Sequence, residues 1–359
     1  MADEEATYTC GSIIALSLVE AIRRRPGMYV GDVSDGSGQH ELIEGLVERA
    51  MLDHLAGHRT RAGLKLEGAR GWFATTGRPL VPVEWLGGFE VYFTGMSGCN
   101  DLTLPILNGL CRHLQVDVRY GGGLYRQHFA RGSKLGPAAR IADAVGTGLR
   151  LEFELDDTIF EPRSWDLERL HQHAQELCGL APGLELAVQG RALTAPEGIL
   201  SLLAAKLEAP VVTPIIPPIV CSGLYDKIDV EVALTWVQVG LDATQPRIHG
   251  FANRRRTRGG THHLGVLKGI GEAFANLDPA MGDVDPLALA ELLQPGLVAI
   301  VHVELQEPDW DQCRAELRGT EVSDAVAYIV QRQLTKAWRV RPEAFNEVRV
   351  ACLGRLAGR

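Results

Sequence analysis

Little in this sequence suits a membrane, a disulfide scaffold or a nucleic-acid coat. Charges or prolines break every apolar run well short of the roughly 18 residues that a membrane span needs. The opening Met-Ala-Asp-Glu-Glu is acidic, unlike a secretory leader. A cytoplasmic location with no membrane partner is the expectation that follows. The 7 cysteines (Cys10, Cys99, Cys111, Cys178, Cys221, Cys313 and Cys352) are odd in number, far apart and without a Cys-x-x-Cys pair. That spacing argues against disulfides or zinc and for buried thiols. The 36 Lys and Arg are outnumbered by 45 Asp and Glu, a formal charge of -9. Phosphate binding depends on clustered cations, so any DNA contact must be local. No internal repeat, coiled-coil seam or low-complexity stretch is present.

What is present is a soluble chain of 359 residues, 46% apolar and 23% charged, long enough for two domains each with a core. Residues 1–15 are polar and aperiodic, whereas 16–25 are helical in character and stop at Pro26-Gly27. Leu42, Ile43, Leu46, Val47, Ala50, Met51 and Leu55 follow the i, i+3, i+4, i+7 rule and predict a helix ending near Gly57. Short β-type runs follow at 64–66, 72–74, 114–120, 124–129 and 148–155, with an apolar helix around 104–114. A helix at 167–177 and a strand at 184–188 lead to a boundary near Thr194-Ala195-Pro196. Helices on one side of a mixed sheet make the class α+β. Beyond the boundary, a helix at 198–207 precedes Pro210–Pro218, a loop or sheet edge. Strands at 228–239, 249–253 and 297–305 and helices at 264–275 and 322–338 then describe a second α/β domain.

Several motifs resemble the gyrase B and topoisomerase IV B family, in that family's order. They are Leu18 through Arg23-Arg-Arg-Pro-Gly-Met-Tyr-Val-Gly-Asp32, Gly36-Ser-Gly-Gln-His40, Leu55-Ala-Gly-His58, Gly146-Thr147, Val230 through Trp236, Phe251-Ala-Asn253 through Gly259-Gly-Thr-His262, and Gly296 through Val301. The resemblance implies an N-terminal arm (1–15), a GHKL (Bergerat-type) α/β sandwich ATPase-like domain (16–194), a transducer α/β domain (195–345) and a C-terminal tail (346–359). The chain stops at Arg359, so a metal-binding TOPRIM domain is expected to be absent. The family's arm exchange implies a homodimer, or a heterodimer with a gyrase-type subunit, with Tyr8 and Ile13 at the arm positions.

The residues that hydrolyse ATP in this family look to be missing. Its Glu-x-x-Asp-Asn pattern falls on Gly45-Leu-Val-Glu48-Arg49. The general base position is then Gly45 and the magnesium position is Arg49. Glycine accepts no proton from an attacking water, and a permanent cation repels a metal. Glu44 stands one residue away, which turns its side chain by about 100°; a solvated helix charge is its plainer reading. Glu48 matches the family's aspartate, which is not the base, and reads equally as a structural ion-pair member.

The family's adenine-reading aspartate is Thr75, ahead of Gly77 and Pro79, and a hydroxyl lacks a carboxylate's charge-assisted strength. In the lid, Gly98 alone is well placed. Asp101 puts a negative charge where phosphate would approach, and the stretch from Pro82 to Gly95 is short for a lid. Thr147, Tyr8, Gln312 and Arg314 match the remaining nucleotide contacts, with Arg replacing a lysine. Thr147 reads also as a backbone-bonded strand hydroxyl and Arg314 as a surface charge. Neither a resident cofactor nor a metal is expected, and ATP with magnesium enters only if this degenerate site still binds it.

The basic cluster Arg254, Arg255, Arg256 and Arg258 offers a local grip on DNA phosphates, or is a solvated turn. His262 and His263 are adjacent, an arrangement ill suited to sharing one metal. The expectation is a gyrase-B-like pseudo-ATPase acting as a dimerising regulatory or accessory module. The alternative is an ATP-hydrolysing topoisomerase subunit with a divergent nucleotide site.

Overall fold

The computed structural model describes residues 16–78, 80–81, 88–95, 101–208, 213–238, 246–311 and 315–357. The chain divides into two compact units between Thr194 and Ala195.

In the first unit, α1 (Leu18–Arg24) begins where Ser17 and Glu20 cap each other's backbone in a capping box. It stops ahead of Pro26, and a single turn, α2 (Gly27–Val30), follows. Arg23 fastens α1 inward by donating to Asp156 Oδ2 at 2.7 Å and to the Gly109 carbonyl at 2.6 Å. The long helix α3 (Ser37–Leu55) leads to the hairpin of β1 (Arg61–Glu67) and β2 (Arg70–Thr75). Then come α4 (Glu90–Thr94), α5 (Thr103–Leu110), β3 (Cys111–Tyr120), β4 (Gly123–Ala130), β5 (Ser133–Lys134), β6 (Ala139–Asp143) and β7 (Gly148–Leu155). The unit closes with α6 (Leu167–Leu180), β8 (Glu185–Val188) and β9 (Arg191–Leu193).

These strands make a 9-stranded sheet in the order β5-β4-β3-β7-β2-β1-β8-β9, with β6 paired to β4. The register puts Leu64, Phe73, Leu151 and Val116 in one buried row and Lys65, Trp72, Glu152 and Gln115 in the next, on the opposite face. Period-2 alternation therefore makes one face apolar for the helices and the other polar. The helix expected over 104–114 ends at Leu110. Cys111 is already extended, and Leu114, Val116 and Val118 alternate into the core as part of β3. A short apolar run reads as either element, and here strand pairing prevails.

The second unit comprises α7 (Ile199–Glu208), β10 (Ile219–Tyr225), β11 (Ile228–Trp236), β12 (Arg247–Ala252), β13 (Arg255–Thr257), β14 (Gly259–Gly260), α8 (Thr261–Leu277), α9 (Pro286–Leu293), β15 (Leu297–Glu304), β16 (Glu316–Leu317), α10 (Thr320–Val340) and α11 (Asn346–Ala357). Its main sheet runs β10-β11-β15-β12-β13. The central β15 is buried from Leu297 to Val303, and its Val301 and Val303 share a core with Val266 of α8 and Val326 and Val330 of α10. The two helices approach closely because a Cβ on Gly265 would lie 2.7 Å from the Ser323 carbonyl, and one on Gly269 2.6 Å from that of Ala327. Pro214 and Ile215 run along the end of β11, where the Ile215 amide donates to the Trp236 carbonyl at 2.8 Å. The stretch read as a C-terminal tail is instead helical as far as Ala357, with Val348 and Cys352 in the core. Cys111, Cys178, Cys221 and Cys352 are free, buried thiols, and burial pushes Cys178 and Cys221 up to about 12. No helix among the described residues is long and apolar enough to cross a membrane.

Candidate functional site

Two stripes of α3, one residue out of phase, face different partners. His40, Glu44 and Glu48 face the segment entering α6 and α6 itself. His40 Nε2 accepts from the Asp166 amide at 2.8 Å, so Nδ1 carries the proton and donates to the Gly36 carbonyl, also at 2.8 Å. Glu44 accepts from Arg169 Nε at 2.6 Å and Nη2 at 2.8 Å, a bidentate pair. Glu48 Oε1 lies 3.7 Å from His173 Nε2. Glu44 is thus neither a solvated helix charge, as its sequence suggested, nor aimed at the position of Gly45; it is 8% exposed and bound to a partner in α6.

Gly45, Arg49 and Asp53, each four residues on from the last, form the other stripe. A Cβ at Gly45 would touch only Thr103 Cγ2, at 3.8 Å, so packing does not forbid a side chain there. One turn on, Arg49 forms an ion pair with Asp101, the two side chains 11% and 23% exposed. Asp101 Oδ1 also accepts from the Thr103 amide at 3.0 Å, at the start of α5. Asp101 therefore does not stand as an isolated negative charge but is engaged by the cation at the implied metal position. A guanidinium has no lone pair for a metal and repels it, while the nearby carboxylate is taken up by that guanidinium and an amide. These residues do not fit magnesium.

At the end of β2, Thr75 is 4% exposed and its Oγ1 accepts from the Gly77 amide at 3.0 Å. Asp53 closes this turn against α3 by accepting from the Arg78 amide at 3.1 Å. A Cβ on Gly77 would lie 2.6 Å from Asp53 Oδ2 and 2.9 Å from its Cβ, so a side chain there would push Asp53 out of this turn. Asp53 went unremarked in the sequence, although it lies two i+4 steps from Gly45. Thr147 is exposed immediately before β7, at the end of the sheet where Thr75 pairs with Leu149. The structure thus gathers Gly45, Arg49, Asp53, Thr75, Gly77, Asp101 and Thr103 around one face of α3, with Thr147 at the nearby sheet end. Tyr8, Ile13, Pro79, Gly98, Gln312 and Arg314 lie outside the described residues. A separate concavity of about 540 Å³ lies on the polar face of the sheet, lined by Lys65, Trp72 and Arg150 among others.

In the second unit, the arginines read as one cluster separate. Asn253 and Arg254 have φ of 47° and 65°, the left-handed pair of a two-residue hairpin turn between β12 and β13. Arg254 turns back into an ion pair with Glu304, whereas Arg255, Arg256 and Arg258 are exposed. At most three of the four cations face solvent. His262 and His263 converge despite being adjacent. A Cβ on Gly250 would lie 2.3 Å from His262 Nε2, 2.1 Å from His263 Nε2 and 2.4 Å from Thr257 Oγ1. His262 Nε2 is already paired with Thr257 Oγ1 at 2.8 Å, and among the described residues no group of three or more His, Cys, Asp or Glu is arranged to hold a metal.

A family model described as DNA gyrase B matches residues 198–355. The DNA gyrase B protein of Campylobacter jejuni is 26% identical over 389 aligned positions, covering 99% of this chain and 50% of that protein. The chain spans about half the length of that curated relative. The 43K ATPase domain of Thermus thermophilus gyrase B, solved in complex with an aminocoumarin, superposes with a TM-score of 0.78 at 25% identity, covering 95% of this chain and 96% of that one. The DNA gyrase B protein of Myxococcus xanthus gives 0.75 at 26% identity, covering 92% and 99%. With the ordered motifs, the two-unit α+β architecture and these likenesses together, the chain belongs to the gyrase B and topoisomerase family and has the GHKL-type fold of its ATPase region.

Proposed function

We propose that this protein is a gyrase-B-like pseudo-ATPase, a cytoplasmic, dimerising regulatory or accessory module with little or no ATP hydrolysis. One observation carries the reading: the face of α3 that should activate water and hold metal presents Gly45 and an Arg49–Asp101 ion pair. Glu44, the nearest carboxylate in sequence, is held by Arg169 instead. Proton acceptance and charge neutralisation both lack a group, while the turn of Thr75, Gly77 and Asp53 supports retention of a base-binding end.

The assay is phosphate release with excess ATP and DNA. Turnover comparable to that of a working gyrase B, abolished by Glu44→Ala and not by Glu48→Ala, would sink this reading. Dimerisation, as a homodimer or with a gyrase-type subunit through the arm of Tyr8 and Ile13, is tested by sedimentation with and without a non-hydrolysable ATP analogue. A mass that stays monomeric in both removes the dimer. DNA contact is assigned to Arg255, Arg256 and Arg258.

The second reading, a divergent but ATP-hydrolysing topoisomerase subunit, is favoured by the ordered turn at Thr75 to Arg78. It requires a base other than Gly45, and the same release assay decides it.

A further inference from the structure

The face of α3 that the family resemblance gives to a metal carries a permanent cation. We propose that this site takes the phosphates of a nucleoside di- or triphosphate without a divalent metal, Arg49 supplying the positive charge and Asp101 being the carboxylate that phosphate displaces. The proposal rests on reading this face of α3 as a non-hydrolysing nucleotide site.

Position is the first argument. Arg49 is one helical turn from Asp53, which bonds the turn following Thr75, and one turn from Gly45, which faces Thr103 at the start of α5. The guanidinium therefore stands between the base-binding end and the segment that leads into α5. Chemistry is the second. A planar guanidinium donates two parallel hydrogen bonds to phosphate as readily as to carboxylate, and phosphate carries the greater charge.

The exchange leaves no orphan. Asp101 is 23% exposed and keeps the Thr103 amide at 3.0 Å, so its carboxylate retains a partner and water when Arg49 turns away. Gly45 leaves open space, where a Cβ would meet one atom at 3.8 Å, and brings no carboxylate to repel an approaching phosphate. A magnesium ion on the phosphates would instead be set against the guanidinium. Metal should weaken binding at this site, the reverse of what a metal-using site shows.

The test is isothermal titration of the full chain with ATP, once in EDTA and once in excess magnesium, with free phosphate followed in both. The expected result is binding at least about tenfold tighter in EDTA, the scale of one charge-assisted pair gained or lost. Arg49→Asn should lower the metal-free affinity by about tenfold to a hundredfold. Asp101→Asn, which removes the competitor and keeps the shape, should raise it. Arg49→Lys, which keeps the charge, should retain a preference for metal-free ATP and guards against misfolding of the asparagine variant. Equal or tighter binding with magnesium, no binding in either buffer, or affinities indifferent to both Arg49→Asn and Asp101→Asn overturns the proposal. None of those results touches the absence of turnover. Phosphate accumulating during the titrations would overturn the non-hydrolysing reading instead.

Discussion

Mild acid should destabilise the second unit, and two fully or nearly fully buried histidines set the scale. His262 on α8 is 0% exposed and His302 on β15 is 6% exposed. Burial holds His262 down to about 3, with the neighbouring His263 and His302 adding to it. Burial and then the Arg254 charge hold His302 down to about 3 as well. Both start from 6.5 in the unfolded chain. Because the folded values are depressed, the native state favours the neutral rings. Stability is intact above pH 6.5 and is lost as pH falls toward 3, where the unfolded chain binds protons the fold refuses. At pH 5 the linkage relation gives about 2 kcal/mol per ring, hence about 4 kcal/mol together. That is a large part of the roughly 5–15 kcal/mol typical of a domain, and it should lower the melting temperature by about 8–16 °C for a unit of this size. The Asp278 carboxyl, held low by its hydrogen bonds from Arg349, does not contribute in this window because its unfolded pKa is near 4. Calorimetry at pH 7.5 and pH 5 at fixed ionic strength measures the shift, and His302→Gln should reduce it by the roughly 2 kcal/mol of that ring, while His249 and His263, each held down to about 4 chiefly by burial, keep theirs. A transition of the second unit that moves by less than about 3 °C, or a variant as acid-sensitive as its parent, refutes the assignment.

Four further outcomes follow from the geometry. Gly45→Glu should fold and gain up to about 1 kcal/mol from helix propensity, yet release no phosphate from ATP while Arg49 and Asp101 remain; release by this single variant would show that the ion pair is not a block. Glu44→Ala should lower stability by about 2 kcal/mol in denaturant titration, because the bidentate contact to Arg169 is lost, and a neutral result would reduce that contact to a surface pair. Gly271→Ala should destabilise by about 1–3 kcal/mol despite alanine's better helix propensity, since its methyl would lie 1.9 Å from the Pro286 carbonyl; a stabilised variant would refute the close packing of α8 and α9. Replacing Arg255, Arg256 and Arg258 together by Gln should reduce the slope of log affinity against log salt for DNA by about 2 to 3, measured by anisotropy, and an unchanged slope would remove the cluster from DNA binding.

What was legible in the sequence was local and periodic. The phase of α3 separated Glu44 from Gly45, because 3.6 residues per turn puts consecutive side chains about 100° apart. Alternation likewise marked β7, and a nearly continuous apolar run marked β15; their bounds, Gly148–Leu155 and Leu297–Glu304, match the expected runs within a residue. Pairings across the chain were not legible. Glu44 looked solvated because Arg169 lies 125 residues away, and Asp101 looked misplaced because nothing nearby in sequence identifies Arg49 as its partner. Edge strands escaped for another reason: β6 is only 5 residues long, with Ile141 as its one large apolar side chain and every position exposed, so it carries no period long enough to read. In α11 only Val348 and Cys352 are buried, too sparse a stripe to distinguish a helix from a tail.

The same one-residue phase explains how the fold persists without its expected chemistry. The stripe of His40, Glu44 and Glu48 fastens α3 to the segment entering α6 and to α6 itself, and none of those contacts involves Gly45, Arg49 or Asp53. The second stripe meets Thr103, Asp101 and the Thr75 turn, where a missing side chain at Gly45 leaves little to collapse. Chemistry on α3 is thus separable from the attachment of α3. Restoring it is not a single-site problem, because Arg49 and Asp101 satisfy each other: removing Asp101 takes the carboxylate from a guanidinium only 11% exposed, whereas Asp101 keeps the Thr103 amide and its exposure when Arg49 is replaced. The effects of Gly45→Glu, Arg49→Asn and an Asp101 substitution should therefore be strongly non-additive in a mutant cycle, with the Arg49 and Asp101 changes coupled by about 1–3 kcal/mol. Additive effects would mean that the ion pair does not organise this face.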